Sequence, residues 1–162
     1  MLELEKFFCS SKLKAYLSEP QKLDKGKMGS ISEKKFIIYE TSTFNKLYEI
    51  PSENTKQIKS IIELENNDLV FFMVIKNSNN FNYDYELHIY RIIDKKYFLF
   101  QKIKEERTGY DMQWSHSGSV LPKKFELQKI KGLSNNRILS ISNYGIRIYA
   151  LNINENNCYC LI

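Results

Sequence analysis

Short runs of apolar and β-branched residues, separated by turn-forming residues, set the pattern of this chain. Arg137 to Ser142 is such a run, Asn143-Tyr144-Gly145 supplies turn chemistry with glycine where a positive φ is tolerated, and Ile146 to Tyr149 is again strand-like. The pattern predicts a β-hairpin. An apolar stretch lies before it, Phe125 to Leu133, and another after it, Cys158 to Ile162. The same succession is found upstream, with Gln57 to Leu64 leading in and Tyr97 to Ile103 following, while Phe44 to Ile50 follows a first hairpin. The predicted unit is therefore four short antiparallel strands. Residues 1–22 are ambiguous: Ser10-Ser11 followed by Leu13, Tyr16 and Leu17 reads as one capped helical turn stopped by Pro20, or as a divergent strand.

The units are copies of one another. Leu23 to Tyr39 aligns without a gap to Leu133 to Tyr149 at a constant offset of 110, matching Met28 with Ile138, Ser30 with Ser140, Ile38 with Ile148 and Tyr39 with Tyr149. A third copy is split, with Leu64 to Phe71 matching the first half and Leu87 to Tyr90 the second. Repeats of this size mark arrays and propellers.

The stretch Gly145-Ile-Arg-Ile-Tyr149-Ala-Leu-Asn152 with Cys158 to Ile162 resembles the third and fourth strands of a WD-repeat β-propeller blade, with Tyr149 where the family places tryptophan and Tyr90 and Tyr39 in the same slot of the other copies. The resemblance covers roughly residues 23 to 162. It implies an all-β fold, an arc of about two and a half to three four-stranded antiparallel propeller-like blades, too few for a closed propeller. The expected organisation is a lead-in over 1–22, a partial blade over 23–50 lacking its first strand, a blade over 57–103 and a blade over 124–162. Such an arc is an incomplete gene product, is completed by a partner or second copy, or closes differently, as a sandwich of the same hairpins. The residue after the slot is Glu40, Arg91 or Ala150 instead of the family's aspartate, so the family's buried polar network is not expected.

Composition changes this picture little. Abundant Lys, Ile, Asn and Tyr beside scarce Ala, Arg, Pro and Gly reads as codon bias, so the Asn-rich loops are not evidence of function. The net charge of +5 is spread evenly: residues 1–50 carry nine basic and seven acidic side chains, and no basic stripe or arm stands out. The three cysteines, Cys9, Cys158 and Cys160, make a disulfide framework unexpected, since Cys158 and Cys160 would share one face of a strand. The opening residues lack a secretory pattern, and the longest apolar run, Leu69 to Ile75, is too short to span a bilayer, so a cytoplasmic protein without membrane association is expected.

Candidate chemistry is sparse. His88 occupies the slot of Ile37 and Arg147, beside the repeat tyrosine, and needs no catalytic explanation, while His116 lies in Trp114-Ser115-His116-Ser117-Gly118 without a nucleophile elbow around it. Two thiols with no second pair do not complete a metal site, and no glycine-rich phosphate loop occurs. We expect no enzyme activity, no cofactor and no metal.

The copies differ in length, and there the sequence is informative. From turn to tyrosine the outer copies take 13 residues and the middle one 23; from Tyr39 to Asn67 is 28 residues, from Tyr90 to Asn136 is 46. One insertion, near Asn77 to Asp84, falls between the second and third strands; the other, near Arg107 to Lys123, falls between the fourth strand and the next blade's first. In an antiparallel blade these emerge at the same end. They hold Phe81, Tyr83 and Tyr85 in one and Tyr110, Met112, Trp114 and His116 in the other. Aromatics and Met on loops are what interfaces enrich. The expected function is a protein-interaction or scaffold module using these residues, with Trp114 as anchor, and with self-association through exposed blade edges as a further route. The alternatives are RNA or single-stranded nucleic-acid binding by stacking on the loops, and a satellite core in which the two insertions pack only on each other.

Overall fold

The repeat tyrosines fix the strand register. In a computed structural model, which describes residues 21–23, 26–32, 35–51, 58–76, 83–106, 112–114, 120–122 and 125–162, Met28 pairs with Tyr39, Leu69 with Tyr90 and Ile138 with Tyr149. Three copies of one sequence pattern thus become three copies of one hairpin.

Each hairpin is the centre of a four-stranded antiparallel sheet in which the strands follow one another in chain order. Sheet 1 comprises β1 (Gln21–Lys22), β2 (Lys27–Ser32), β3 (Lys35–Glu40) and β4 (Lys46–Pro51). Sheet 2 comprises β5 (Ile58–Glu63), β6 (Leu69–Lys76), β7 (Tyr83–Ile93) and β8 (Lys96–Glu105). A small hairpin, β9 (Met112–Trp114) with β10 (Val120–Pro122), precedes sheet 3, made of β11 (Leu127–Leu133), β12 (Arg137–Ser142), β13 (Gly145–Asn152) and β14 (Cys158–Leu161). The described residues are all-β, arranged as propeller-like sheets, none of them closed into a barrel.

Two details differ from the sequence expectation. Sheet 1 does not lack its first strand: Gln21 and Lys22 pair with Gly29 and Met28, so the sheet begins inside the segment assigned to the lead-in. Residues 1–20 lie outside the described residues. Tyr83 and Tyr85 are not on a loop but on β7, paired with Lys76 and Val74. The physical reason is the alternation Tyr83, Tyr85, Leu87, Ile89, which carries a period of two and strong β propensity through the extra residues. Part of the insertion is therefore longer strand.

Residues at positive φ mark the turns. Gly26, Asn67, Asn135 and Asn136 adopt positive φ between the first and second strands of their sheets, and Asp94 with Lys95 and Asn156 with Asn157 do so between the third and fourth. Gly29 is required for another reason: a Cβ there would lie 2.0 Å from Cζ of Phe36, whose fully buried ring occupies that space.

Sheet 2 is the middle layer. Along β6, Leu69, Phe71 and Met73 face sheet 1, where they join Phe36, Ile38, Ile50, Tyr90 and Tyr97, while Val70 and Phe72 face sheet 3 with Leu87, Ile89, Ile138, Tyr149 and Tyr159. A strand buried on both faces reads as a continuous apolar run, which explains Leu69 to Ile75 without a membrane. Each such ring or branched side chain contributes about 2 kcal/mol by leaving water. Neighbouring sheets also touch along equivalent strands, β11 with β5 and β4 with β8. The result is a face-to-face stacking of successive propeller-like sheets.

Candidate functional site

The site grows from the extra length of sheet 2. Because β6 and β7 run beyond their counterparts, Val74, Tyr83 and Tyr85 carry sheet 2 further at this end, with Tyr85 still in the core, and meet the residues that lead into β11. The result is a cleft of about 370 Å³ between sheets 2 and 3. Phe72, Val74 and Leu127 give it an apolar wall, Tyr83, Tyr85 and Phe125 an aromatic one, and Lys59 and Glu126 bring opposite charges to it.

Its aromatic wall is braced. The Tyr85 and Phe125 rings meet edge to face at 5.7 Å, Phe125 stacks on Tyr144 at 6.1 Å, and Phe72 lies 6.2 Å from Tyr85. Glu126 and Asn143 exchange bonds, the Glu126 N–H donating to Asn143 Oδ1 at 3.0 Å and the Asn143 N–H to the Glu126 carbonyl at 3.1 Å. This holds the entry of β11 against the turn between β12 and β13. Beneath, Glu105 at the end of β8 accepts from Arg147 Nη1 at 2.6 Å, and the same guanidinium lies 5.7 Å from the Phe125 ring centre. Glu105 is 2% exposed. Burial first, then the charge of Glu126, pushes the Tyr85 phenol above its ordinary pKa, so it stays a neutral hydroxyl.

Tyr83 and Tyr85 contribute differently. Tyr85 is buried under Phe125 and forms the floor, whereas Tyr83 is 46% exposed at the rim. Both insertions leave sheet 2 from this end, since Tyr85 pairs with Glu105, the last residue of β8. Met112 and Trp114 form β9, with Trp114 opposite Val120; their side chains, and all of Phe81, Tyr110 and His116, lie outside the described residues.

Sequence reasoning missed Phe125, Glu126 and Lys59 as site residues. A signal existed for Phe125, an aromatic immediately after the longer insertion, but cleft formation depends on how two sheets stack.

At the opposite end of the same interface a polar cluster is buried. Asp68 accepts two bonds from Arg91 through its Nε, at 3.1 and 3.3 Å, and one from Nη2 at 2.9 Å, with Tyr159 Oη donating at 2.9 Å and Asn66 Nδ2 at 3.0 Å. The carboxylate side chain is 2% exposed. Asp68 holds the Arg91 guanidinium above its already high pKa, and the guanidinium lies 3.7 Å over Phe100. Gln101 bonds both the N–H and the carbonyl of Tyr159, at 2.8 and 2.9 Å, covering the outer edge of β14. The cluster follows from the register: Asp68 precedes β6 and Arg91 follows Tyr90 on β7, so the two flank the Leu69–Tyr90 pair and meet just beyond it. The equivalent residues in sheet 1 are Lys27 and Glu40, an opposite-charge pair of inverted sense. Lys27 instead reaches Glu63 on β5, joining sheets 1 and 2.

His88 is buried near the repeat tyrosine and bonds Glu86 through Nε2 at 2.6 Å. Cys158 and Cys160 are free thiols, the latter directed at Glu155 Oε2 at 3.2 Å. No group of three His, Cys, Asp or Glu poised to hold a metal occurs among the described residues, and among them no helix is long and apolar enough to cross a membrane. The cleft brings together rings, aliphatic carbons and two opposite charges, an arrangement suited to holding an amphipathic side chain. Compared with known proteins, the chain matches no family model, and no curated protein or solved structure is significantly similar to it.

Proposed function

We propose that this chain is a non-enzymatic protein-interaction module of WD-repeat-like build, and that it binds a partner in the aromatic cleft between sheets 2 and 3. The observation that carries the reading is the pairing of an exposed tyrosine, Tyr83, with a braced aromatic floor and two opposite charges in one cleft. Rigid aromatic rings beside a pocket bury large area at small entropic cost, which is how interface anchors work. Trp114, Phe81 and Tyr110 belong to segments that leave the sheets at this end, and in this reading they extend the cleft's rim, with Trp114 the principal anchor. Lys59 and Glu126 favour a partner segment that presents an apolar or aromatic side chain between polar neighbours.

A peptide selected from a displayed random library against the whole chain tests the reading. Its affinity should fall tenfold or more on Tyr83→Ala and on Trp114→Ala while denaturation midpoints move little. Loss of stability without loss of binding would instead support packing of the insertions on each other. Binding of single-stranded oligouridine that weakens steeply with salt, at higher affinity than any selected peptide, would replace this reading with nucleic-acid recognition.

A further inference from the structure

Both internal interfaces bury the same repeat positions. On the third strand, Phe36 and Ile38 of sheet 1 and Leu87 and Ile89 of sheet 2 are all 0% exposed, covered by the following sheet. The offset that aligns the repeats makes Ile146 and Ile148 their counterparts in sheet 3. There Ile146 is 66% exposed and Ile148 half-buried. Ile146 lies across from Ile141, Ile148 from Leu139, and Ala150 from Cys160, so these side chains share one continuous apolar face. No described sheet covers it.

We propose that this outer face of sheet 3 is a self-association surface, and that its occupant is the same face of a second copy, related by a two-fold axis running along the strands. Continuity with the two internal interfaces says what kind of surface fits: an apolar sheet face. A head-to-tail repeat of the internal stacking would need the far face of sheet 1, where Met28, Ser30 and Ile37 are already buried within the chain. Like-on-like pairing needs only what is exposed, and it is the commonest closed symmetry.

Charge fits the same geometry. Lys129 and Lys131 are exposed on β11, paired with Ile141 and Leu139, and so border the face on one side. Glu155 borders it on the other, where its carboxylate meets Cys160. A two-fold axis along the strands lays β11 of one copy over β14 of the other. The ladders put Lys131 two residues along the strands from the level of Cys160, where the Glu155 carboxylate sits, so the Lys131 side chain of each copy can reach Glu155 of its mate. Four strands about 4.8 Å apart, each presenting about six residues at 3.3 Å, give a footprint of roughly 400 Å² per copy. That is about 800 Å² in total, below the standard size of specific interfaces, so the dimer is a weak, transient one.

Sedimentation equilibrium of the full chain from low to high micromolar concentration tests this. The mass should rise from the 19.2 kDa monomer towards twice that value. Ile146→Lys, at a position exposed enough to tolerate the change, should weaken association at least tenfold, whereas Leu47→Lys, on the exposed part of sheet 1, should not. Lys131→Glu and Glu155→Lys should each weaken the dimer and together restore it. A chain that stays monomeric throughout, or an Ile146→Lys variant that associates like the parent, overturns the proposal. Failure of the charge swap to restore the dimer overturns the two-fold arrangement.

Discussion

Between sheets 1 and 2 the contact is a dry aromatic seam: Phe36 meets Phe71 edge to face at 5.1 Å, Phe71 lies 4.7 Å from Tyr90, and Tyr48 meets Tyr97 at 5.2 Å. The Lys27–Glu63 pair lies at its margin. Between sheets 2 and 3 the centre is equally apolar, but both ends are polar, with the Asp68–Arg91–Tyr159 cluster at one and Glu105–Arg147 beneath the cleft at the other. The same strand register thus serves two purposes. Where rings meet across the seam, the interface has only to hold. Where charged pairs stand at the ends, they fix the sheets against each other and leave a cleft that rings alone would fill.

The largest test of this contrast is removal of a clamp. Asp68→Ala strands the Arg91 guanidinium and the Tyr159 hydroxyl in a mostly dry site, and should cost about 4 kcal/mol in urea unfolding, as broken buried ion pairs do. Replacing Asp68 and Arg91 together by leucine should recover most of that loss. If Asp68→Ala costs less than about 1 kcal/mol, a small effect for a buried charge, the polar end does not hold the sheets and the distinction between the interfaces collapses.

Tyr90→Ala acts on the dry seam and should cost about 3 kcal/mol, the range for deleting a buried aromatic side chain. A loss below about 1 kcal/mol would mean that Tyr90 packs little at the seam. Since Tyr90 and Tyr149 occupy the same repeat position, comparable costs for the two would sharpen the claim that register, more than local sequence, sets burial.

Alkaline pH reads the tyrosines at both interfaces. Burial first, then the charge of Glu105, raises the Tyr149 phenol to about 12, and burial also raises Tyr90, Tyr97 and Tyr159. Each folded-state value stands above the ordinary one near 10, so the folded chain holds protons that the unfolded chain has released. The stability these phenols contribute is complete below pH 10 and is lost as pH rises from there towards 12 and beyond, on the order of 2 kcal/mol for Tyr149. Tyr149→Phe should flatten that part of the stability profile measured by denaturation from pH 9 to 12. An unchanged slope would mean that Tyr149 ionises as freely folded as unfolded.

Much of the fold was legible because the information was repeated. The constant offset between Leu23 to Tyr39 and Leu133 to Tyr149 carried the register, and the split middle copy gave sheet 2 its place. The site was half legible. Tyr83 and Tyr85 were singled out, but extra length alone does not distinguish a loop from longer strands, and only the two-residue period of Tyr83, Tyr85, Leu87 and Ile89 does. Asp68 was not legible, because its surroundings come from Arg91 across the hairpin and from Tyr159 on the next sheet. Phe125 and Glu126 enter the cleft only through the stacking of one sheet on another, which no single run of residues encodes.

The smallest expected effect on stability belongs to the most informative side chain. Tyr83, exposed at the rim of the cleft, should change unfolding free energy by less than about 0.5 kcal/mol when replaced by alanine, as surface substitutions do. The direct measurement is a paired one: calorimetric affinity for a library-selected peptide and the urea midpoint, on the parent chain and on Tyr83→Ala. A partner site in the cleft predicts a loss of affinity of about 2 kcal/mol, roughly thirtyfold, with the midpoint unmoved. A peptide that binds both proteins equally, or a midpoint that falls while affinity holds, would contradict it.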